Sequence, residues 1–268
     1  MKSKMFISLA MSLAVALCFG IQPADAIIIL AGDSNITEPL IVGNGNGVPV
    51  NAGNQTFFTN ILQGGSKVAV LSESVREGVA ADAPVVDTNV NTFYNNIGKT
   101  SNLITTAVTA GILTGVDLFI VPIPDDAFTA AEISAMSDFV GGGGSIFFIG
   151  EHMFFPDQNG YINDALIGLG SNLRIVPDLT SPVSLPLGNA QIVSDPLTAG
   201  ISSFKYVATS EVTGGTDLFK TTGGESFVQY ETTSSNVPVP EPSTMLLLGS
   251  GLVGLVGLAG YGRRRFKK

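Results

Sequence analysis

Four short, almost unbroken apolar runs limit the architectures open to this chain. They cover residues 27–31, 67–71, 116–122 and 145–150. Each is too short for a buried helix and lacks the alternation of a half-exposed strand, so each reads as a strand buried on both faces. The segments between them carry apolar residues at helical spacing. Residues 54–62 place Phe57, Phe58, Ile61 and Leu62 together and stop at Gly64 and Gly65. Residues 90–97, ended by Gly98, and 103–113 are further predicted helices, the latter weakened by its β-branched content. Thr129 and Glu132 stand at the capping-box spacing. The helix they open sets Ile133, Met136, Phe139 and Val140 on one face before the glycines at 141–144. A short helix at 163–169 and a strand at 173–176 follow.

Apolar strands alternating with amphipathic helices predict a parallel sheet covered on both sides. After Pro177 the pattern shortens. Residues 204–208, 217–220 and 226–230 read as antiparallel strands at an edge of that sheet. The expected fold is a flavodoxin-like three-layer α/β sandwich with a mostly parallel sheet and a β-rich C-terminal extension.

The two ends have a different character. Lys2 and Lys4 precede an apolar run over 5–21, and Ala24-Asp25-Ala26 supplies a small-x-small site, the anatomy of a signal peptide cut after Ala26. At the other end, the prolines at 238, 240 and 242 rule out a helix interior. An uncharged stretch over 244–262 follows, and then five basic residues between 263 and 268. As a helix that stretch spans about 28 Å, close to the hydrocarbon thickness of a bilayer. Basic flanks stay cytoplasmic, so the body lies across the membrane. Glycines at 249, 251, 254, 257 and 260 would let this helix pack closely against another. The expected division is a signal peptide over 1–26, a globular domain over 27–236 and a tail over 237–268 with a transmembrane helix at 244–262.

The order Pro240-Glu241-Pro242, hydrophobic span, arginine-rich end resembles the PEP-CTERM sorting signal, a tail also known as an ice-binding protein C-terminal domain. The resemblance implies recognition by an exosortase-type membrane protease, with cleavage near Pro240, Glu241 and Pro242. It also implies a Gram-negative host making extracellular polysaccharide. It does not imply ice binding, because the body has no threonine-rich repeats. The expected route is export, anchoring in the inner membrane before processing, and then the cell surface or the medium.

Charge narrows the partners. The chain carries a formal net charge of −9, and Lys2, Lys4 and the basic tail belong to its ends, so the body is more acidic still. Such a body does not bind nucleic acid by neutralising phosphates. Cys18 is the one cysteine and lies within the signal peptide, which leaves the mature chain without a disulfide, a thiolate metal site or a cysteine nucleophile. The apolar run continues past Cys18 through Phe19, Gly20 and Ile21, unlike a lipoprotein cleavage site.

Residues 116–152 resemble the core of class I glutamine amidotransferase-like domains. The matching pieces are the strand of Asp117, Leu118, Phe119, Ile120 and Val121, the helix opening at Thr129, Phe139-Val140, the glycines at 141–144, and the strand of Ile146, Phe147, Phe148, Ile149 and Gly150. That family's nucleophile falls near Ile149 or Gly150, where neither residue can serve. The resemblance therefore implies a non-catalytic relative, and the body is expected not to be an enzyme.

Sites in parallel sheets form at the strands' carboxyl ends. Those ends hold Asp33, Ser34 and Asn35; Ser72 and Glu73; Asp125 and Asp126; and Glu151 and His152. Asp33, Asp125, Glu151 and His152 are the candidate set for a divalent cation through oxygen and imidazole ligands. Glu151 or His152 is the candidate general base of a hydrolase. The competing expectation is that these acids cap helices and close turns. No organic cofactor is expected. Gly43-Asn44-Gly45-Asn46-Gly47 lacks the Lys-Ser/Thr of a phosphate loop and reads as a turn. Asn35 and Asn54 head glycosylation sequons that arise by chance in a bacterium. The aromatics at 147, 148, 154 and 155 are expected in the core.

Overall fold

The apolar runs form strands β1 (Ile27–Ala31), β2 (Lys67–Leu71), β4 (Leu118–Pro122) and β5 (Ser145–Ile149). The protein is represented by a computed structural model that describes residues 25–42, 47–72, 84–180 and 188–233. Residues 1–24 of the expected signal peptide, the tail with Pro240, Glu241 and Pro242, residues 43–46 of the expected turn, and Glu73 lie outside the described residues. Among the described residues, no helix is long and apolar enough to cross a membrane.

The helices are α1 (Ala52–Asn60), α2 (Pro84–Asn96), α3 (Ala110–Leu113), α4 (Ala130–Gly141) and α5 (Pro156–Gly168), with a 3-10 turn at Ser34–Leu40. Their ends follow local chemistry. The Asn51 side chain accepts from the amides of Gly53 and Asn54 to start α1. Thr129 and Glu132 form the expected capping box of α4. Glu132 is buried, and its Oε1 also accepts from the Val108 amide at 3.0 Å, which ties the loop before α3 to α4.

The segment 103–113 departs from its predicted helix. Thr100–Ile104 is strand β3, and only one helical turn, α3, follows. Hydrogen bonding decides this. β3 pairs with β2 over five consecutive residues. On its other side, the Asn95 carboxamide accepts from the Ser101 amide and donates to the Ser101 carbonyl, both at 3.1 Å. α5 also begins earlier than expected, because Pro156 fits the first turn of a helix.

The main sheet runs β3-β2-β4-β5-β1-β12-β11-β8, with β8 at Gln191–Ile192, β11 at Thr216–Lys220 and β12 at Ser226–Thr232. The first five strands are parallel and the last three antiparallel. The fold is thus mixed α/β with a mostly parallel central sheet and an antiparallel extension that takes in the expected strands at 217–220 and 226–230, whereas the one expected at 204–208 joins a separate ribbon. Strand order corrects the flavodoxin-like reading. There the first strand lies inside, next to the second, whereas here β1 lies between β5 and β12 and β2 holds the inner place. Two smaller ribbons pair β6 (Arg174–Thr180) with β10 (Ser210–Thr213), and β7 (Gly188–Asn189) with β9 (Lys205–Tyr206).

Side chains alternate across the sheet into two apolar layers. Ile27, Ile29 and Ala31 face one with α1 and α2, and Ile28 and Leu30 face the other with α4 and α5. Phe57 is the hub of the first. Its ring meets Phe58, Phe147, Phe204 and Phe219 edge-on at 5.0 to 5.9 Å, and Phe204 stacks on Phe219 at 3.8 Å. These rings come from α1, β5, the approach to β9, and β11, so they join the parallel half to the antiparallel half. Phe57→Ala is expected to cost about 3–5 kcal/mol, read as a lower urea midpoint. An unchanged midpoint would show that this cluster does not hold the halves together.

Candidate functional site

β1 and β5 are parallel neighbours, so the loops leaving their carboxyl ends lie side by side. After β1 the chain passes Gly32, where a Cβ would fall 2.2 Å from the Ser210 carbonyl oxygen. Only glycine lets the β10 backbone approach so closely, and the Ser210 amide donates to the Gly32 carbonyl at 2.9 Å.

Asp33 then caps the 3-10 turn. Its Oδ1 accepts from the Asn35 amide and its Oδ2 from the Val207 amide, both at 2.8 Å. The Ser34 hydroxyl donates to Oε2 of Glu151, and the Ser34 amide approaches the same oxygen at 3.3 Å. Oε1 of Glu151 accepts from the His152 amide at 2.9 Å. The Glu151 backbone is clamped as well. Its amide donates to Asn159 Oδ1 at 3.0 Å, and its carbonyl accepts from Asn159 Nδ2 at 2.7 Å and Ser210 Oγ at 2.9 Å. The structure therefore brings Asp33, Ser34, Glu151 and His152 together.

Burial sets the electrostatics. Asp33, Ser34 and Glu151 are 0, 5 and 4 % exposed, so solvent and solutes are shut out. Desolvation, opposed mainly by the Ser34 hydrogen bond, pushes the Glu151 carboxyl up to about 7. Asp33 is raised well above the usual carboxylate range, by burial first and by the charge of Glu151 second. Burial lowers His152, whose Nε2 stands 3.8 Å from Glu151 Oε1. Burial thus works against an ion pair across this contact. The other imidazole nitrogen, Nδ1, accepts from the Phe154 amide at 3.2 Å.

Asp125 does not join them. It follows β4, takes a hydrogen bond from Gln158, and is raised chiefly by burial. Among the described residues, no group of three or more acidic, histidine or cysteine side chains is placed to hold a metal. The four-residue cation set is thus not assembled, because both Asp33 oxygens turn to backbone amides and Asp125 turns to α5. Gly150 has no room for a nucleophile either: a Cβ there would meet Ile175 Cδ1 at 2.4 Å and Asn159 Oδ1 at 2.6 Å.

Ala26 is buried before β1, with its carbonyl accepting from the Thr233 amide at 2.8 Å. Phe147 and Phe148 are core residues as expected, but Phe154 is 76 % exposed at the tip of the β5 loop. Asn54, head of a sequon, is sealed between the Ile36 and Lys205 carbonyls, each at 3.0 Å. Sequence reasoning missed Asn159, eight residues beyond Glu151 in α5, and Ser210 and Val207, which reach the cluster from distant segments and leave no local signal. It also missed Asp87, in the first turn of α2, whose Oδ2 accepts from the Ser72 hydroxyl at 2.6 Å.

Chemically, a hydroxyl aimed at a carboxylate is half of an activated nucleophile. Sealed from solvent, it acts as a latch between β1, β5, α5 and β10.

Among known families, residues 238–265 match the PEP-CTERM protein-sorting motif. That motif marks the chain for export and exosortase-type sorting. No curated protein matches the chain. Among solved structures, the mmIFT52 N-terminal domain matches with a TM-score of 0.44 at 15 % identity, over 61 % of this chain and 75 % of that one.

Both raised carboxyls bind protons more tightly in the folded state than in the unfolded. The Glu151 contribution is fully present below its unfolded value near 4.5 and is lost as pH rises through about 7, and Asp33 acts in the same direction. Asp33, Glu38 and His152 are the titratable groups that face Glu151 or act on it. The expected result is a Tm several degrees higher at pH 5 than at pH 8, a change on the order of 3 kcal/mol. Glu151→Gln, which keeps an acceptor for Ser34, shrinks that difference. Melting curves that coincide at the two pH values would contradict the assignment.

Proposed function

We propose that the exported body is a non-catalytic binding or matrix component of the cell envelope or extracellular space, linked to extracellular polysaccharide. The sealing of Asp33, Ser34 and Glu151 carries this reading. A general base must lie within hydrogen-bond reach of its substrate, and here the carboxylate oxygens are occupied by Ser34, His152, Asn35 and Val207. The acidic balance of the body suits a soluble extracellular protein that does not engage nucleic acid.

In this proposal, export machinery removes residues 1–26 after Ala26. The helix at 244–262 holds the intermediate in the inner membrane, and an exosortase-type protease cuts near Pro240-Glu241-Pro242. The product then moves to the surface or the medium. One observation favours a second reading, an exported hydrolase on a glutamine-amidotransferase-like scaffold: Ser34 donates to a carboxyl raised to about 7. An active-serine reagent that labels the wild type but not Ser34→Ala would favour that alternative.

Replacing Pro240, Glu241 and Pro242 with alanine tests the processing route. The wild type is expected to lose the mass of its tail and leave the membrane fraction, and the variant to keep both. Identical mass and location for the two would defeat it.

A further inference from the structure

The crossover between β3 and β4 is too short to cover the sheet. α3 is one turn, Ala110–Leu113, and beside it the outer face of β2 and β3 stays open as a groove of about 550 Å³. That volume falls within the range of small-molecule sites. The groove follows β3 from Lys67 and Thr100 at the amino end to Thr105 and Thr106 beyond the carboxyl end. Five strand residues give it a length of roughly 16 Å.

Its lining has three kinds of group. Thr100, Asn102, Thr105 and Thr106 are exposed and offer hydroxyls and a carboxamide along its length. Ile112 and Val116, both half-buried, supply aliphatic surface between them, over a floor of buried Ala69 and Ile104. Lys67 is the one charged residue of the lining; a Cβ on Gly115 would stand 3.6 Å from its Nζ. No carboxylate lines the groove, although the chain carries a net charge of −9. Asp117, close by in the fold, turns its Oδ2 to the amides of Ser66 and Lys67 at 2.7 and 2.9 Å. Lys67 makes no ion pair among the described residues.

We propose that this groove binds an acidic oligosaccharide, with a sugar carboxylate on Lys67, ring hydroxyls on the threonines and Asn102, and sugar C–H faces on the half-buried Ile112 and Val116. A single ammonium matches a singly charged carboxylate, and the row of neutral hydrogen-bonding groups matches a chain of hydroxyls. An added peptide strand fits less well. The outward amide and carbonyl of Ser101, which such a strand would use, are already taken by Asn95. The proposal deepens the polysaccharide-linked reading above and rests on it.

The test titrates the secreted protein with a galacturonic acid trisaccharide, a neutral glucose trisaccharide and inorganic phosphate, each followed calorimetrically. The acidic trisaccharide is expected to bind more tightly than the neutral one. Lys67→Gln should weaken it about tenfold, the size of one charge-assisted hydrogen bond, and leave neutral binding unchanged. Asn102→Trp, a bulky side chain at an exposed strand position, should block both sugars without lowering Tm. Equal affinity for the two sugars, an unaffected Lys67→Gln variant, or phosphate displacing the acidic sugar at equal concentration would each overturn the groove assignment. Co-fractionation of the protein with cell polysaccharide is scored separately. If it persists in Lys67→Gln and Asn102→Trp, the groove proposal falls and the broader reading stands. If it is absent while the groove binds the acidic sugar, the broader reading falls.

Discussion

The structure depends on the burial of β1 on both faces and along both edges. Its five residues are all core, and no helix could bury Ile27, Ile28, Ile29 and Leu30 on both sides in so short a span. Two layers must therefore pack on it, and two strands must pair with it. β5 supplies the parallel edge, and β12, nearly two hundred residues away in sequence, the antiparallel one. The antiparallel half cannot detach without exposing the backbone of the first strand, whose unpaired amides and carbonyls would be costly in an apolar setting. The phenylalanine cluster around Phe57 reinforces the same seam from one layer.

Placing β1 beside β5 also creates the buried polar cluster. The loop after β1 brings Asp33 and Ser34, and the loop after β5 brings Glu151 and His152. Carboxyl groups this deep persist only when hydrogen-bonded, and each here is satisfied by backbone amides or hydroxyls. The cost of keeping them charged appears as their raised proton affinity. The polar concentration at the strand ends is thus used to fasten loops, while the open, hydroxyl-rich surface lies on the opposite flank beside β3. That flank is open because one turn of helix replaces a full crossover.

Much of the fold was legible in the sequence. The four apolar runs, the capping box at Thr129 and Glu132, and the antiparallel character after Pro177 all appear in the structure, because each is a local pattern with a local cause. The helix expected over 103–113 failed because pairing with β2 and the Asn95 carboxamide outweigh weak helical spacing. Phe154 misled for a related reason: its neighbours Phe147 and Phe148 lie on a buried strand, whereas it lies on the loop beyond. The cluster itself was half legible. Strand-end placement pointed to Asp33, Glu151 and His152, but not to their partners Asn159, Ser210 and Val207, which arrive from other segments.

The sequence alone determined the sorting address, since a linear motif with a charge-flanked apolar span is read along the chain by the machinery that handles it. It also determined the mixed α/β class, through the periods of its apolar residues. Only the tertiary structure decided which strands are neighbours, whether the strand-end acids face solvent or the interior, and which sheet face is left uncovered. Those outcomes depend on contacts between residues far apart in sequence, and one-dimensional spacing carries no record of them.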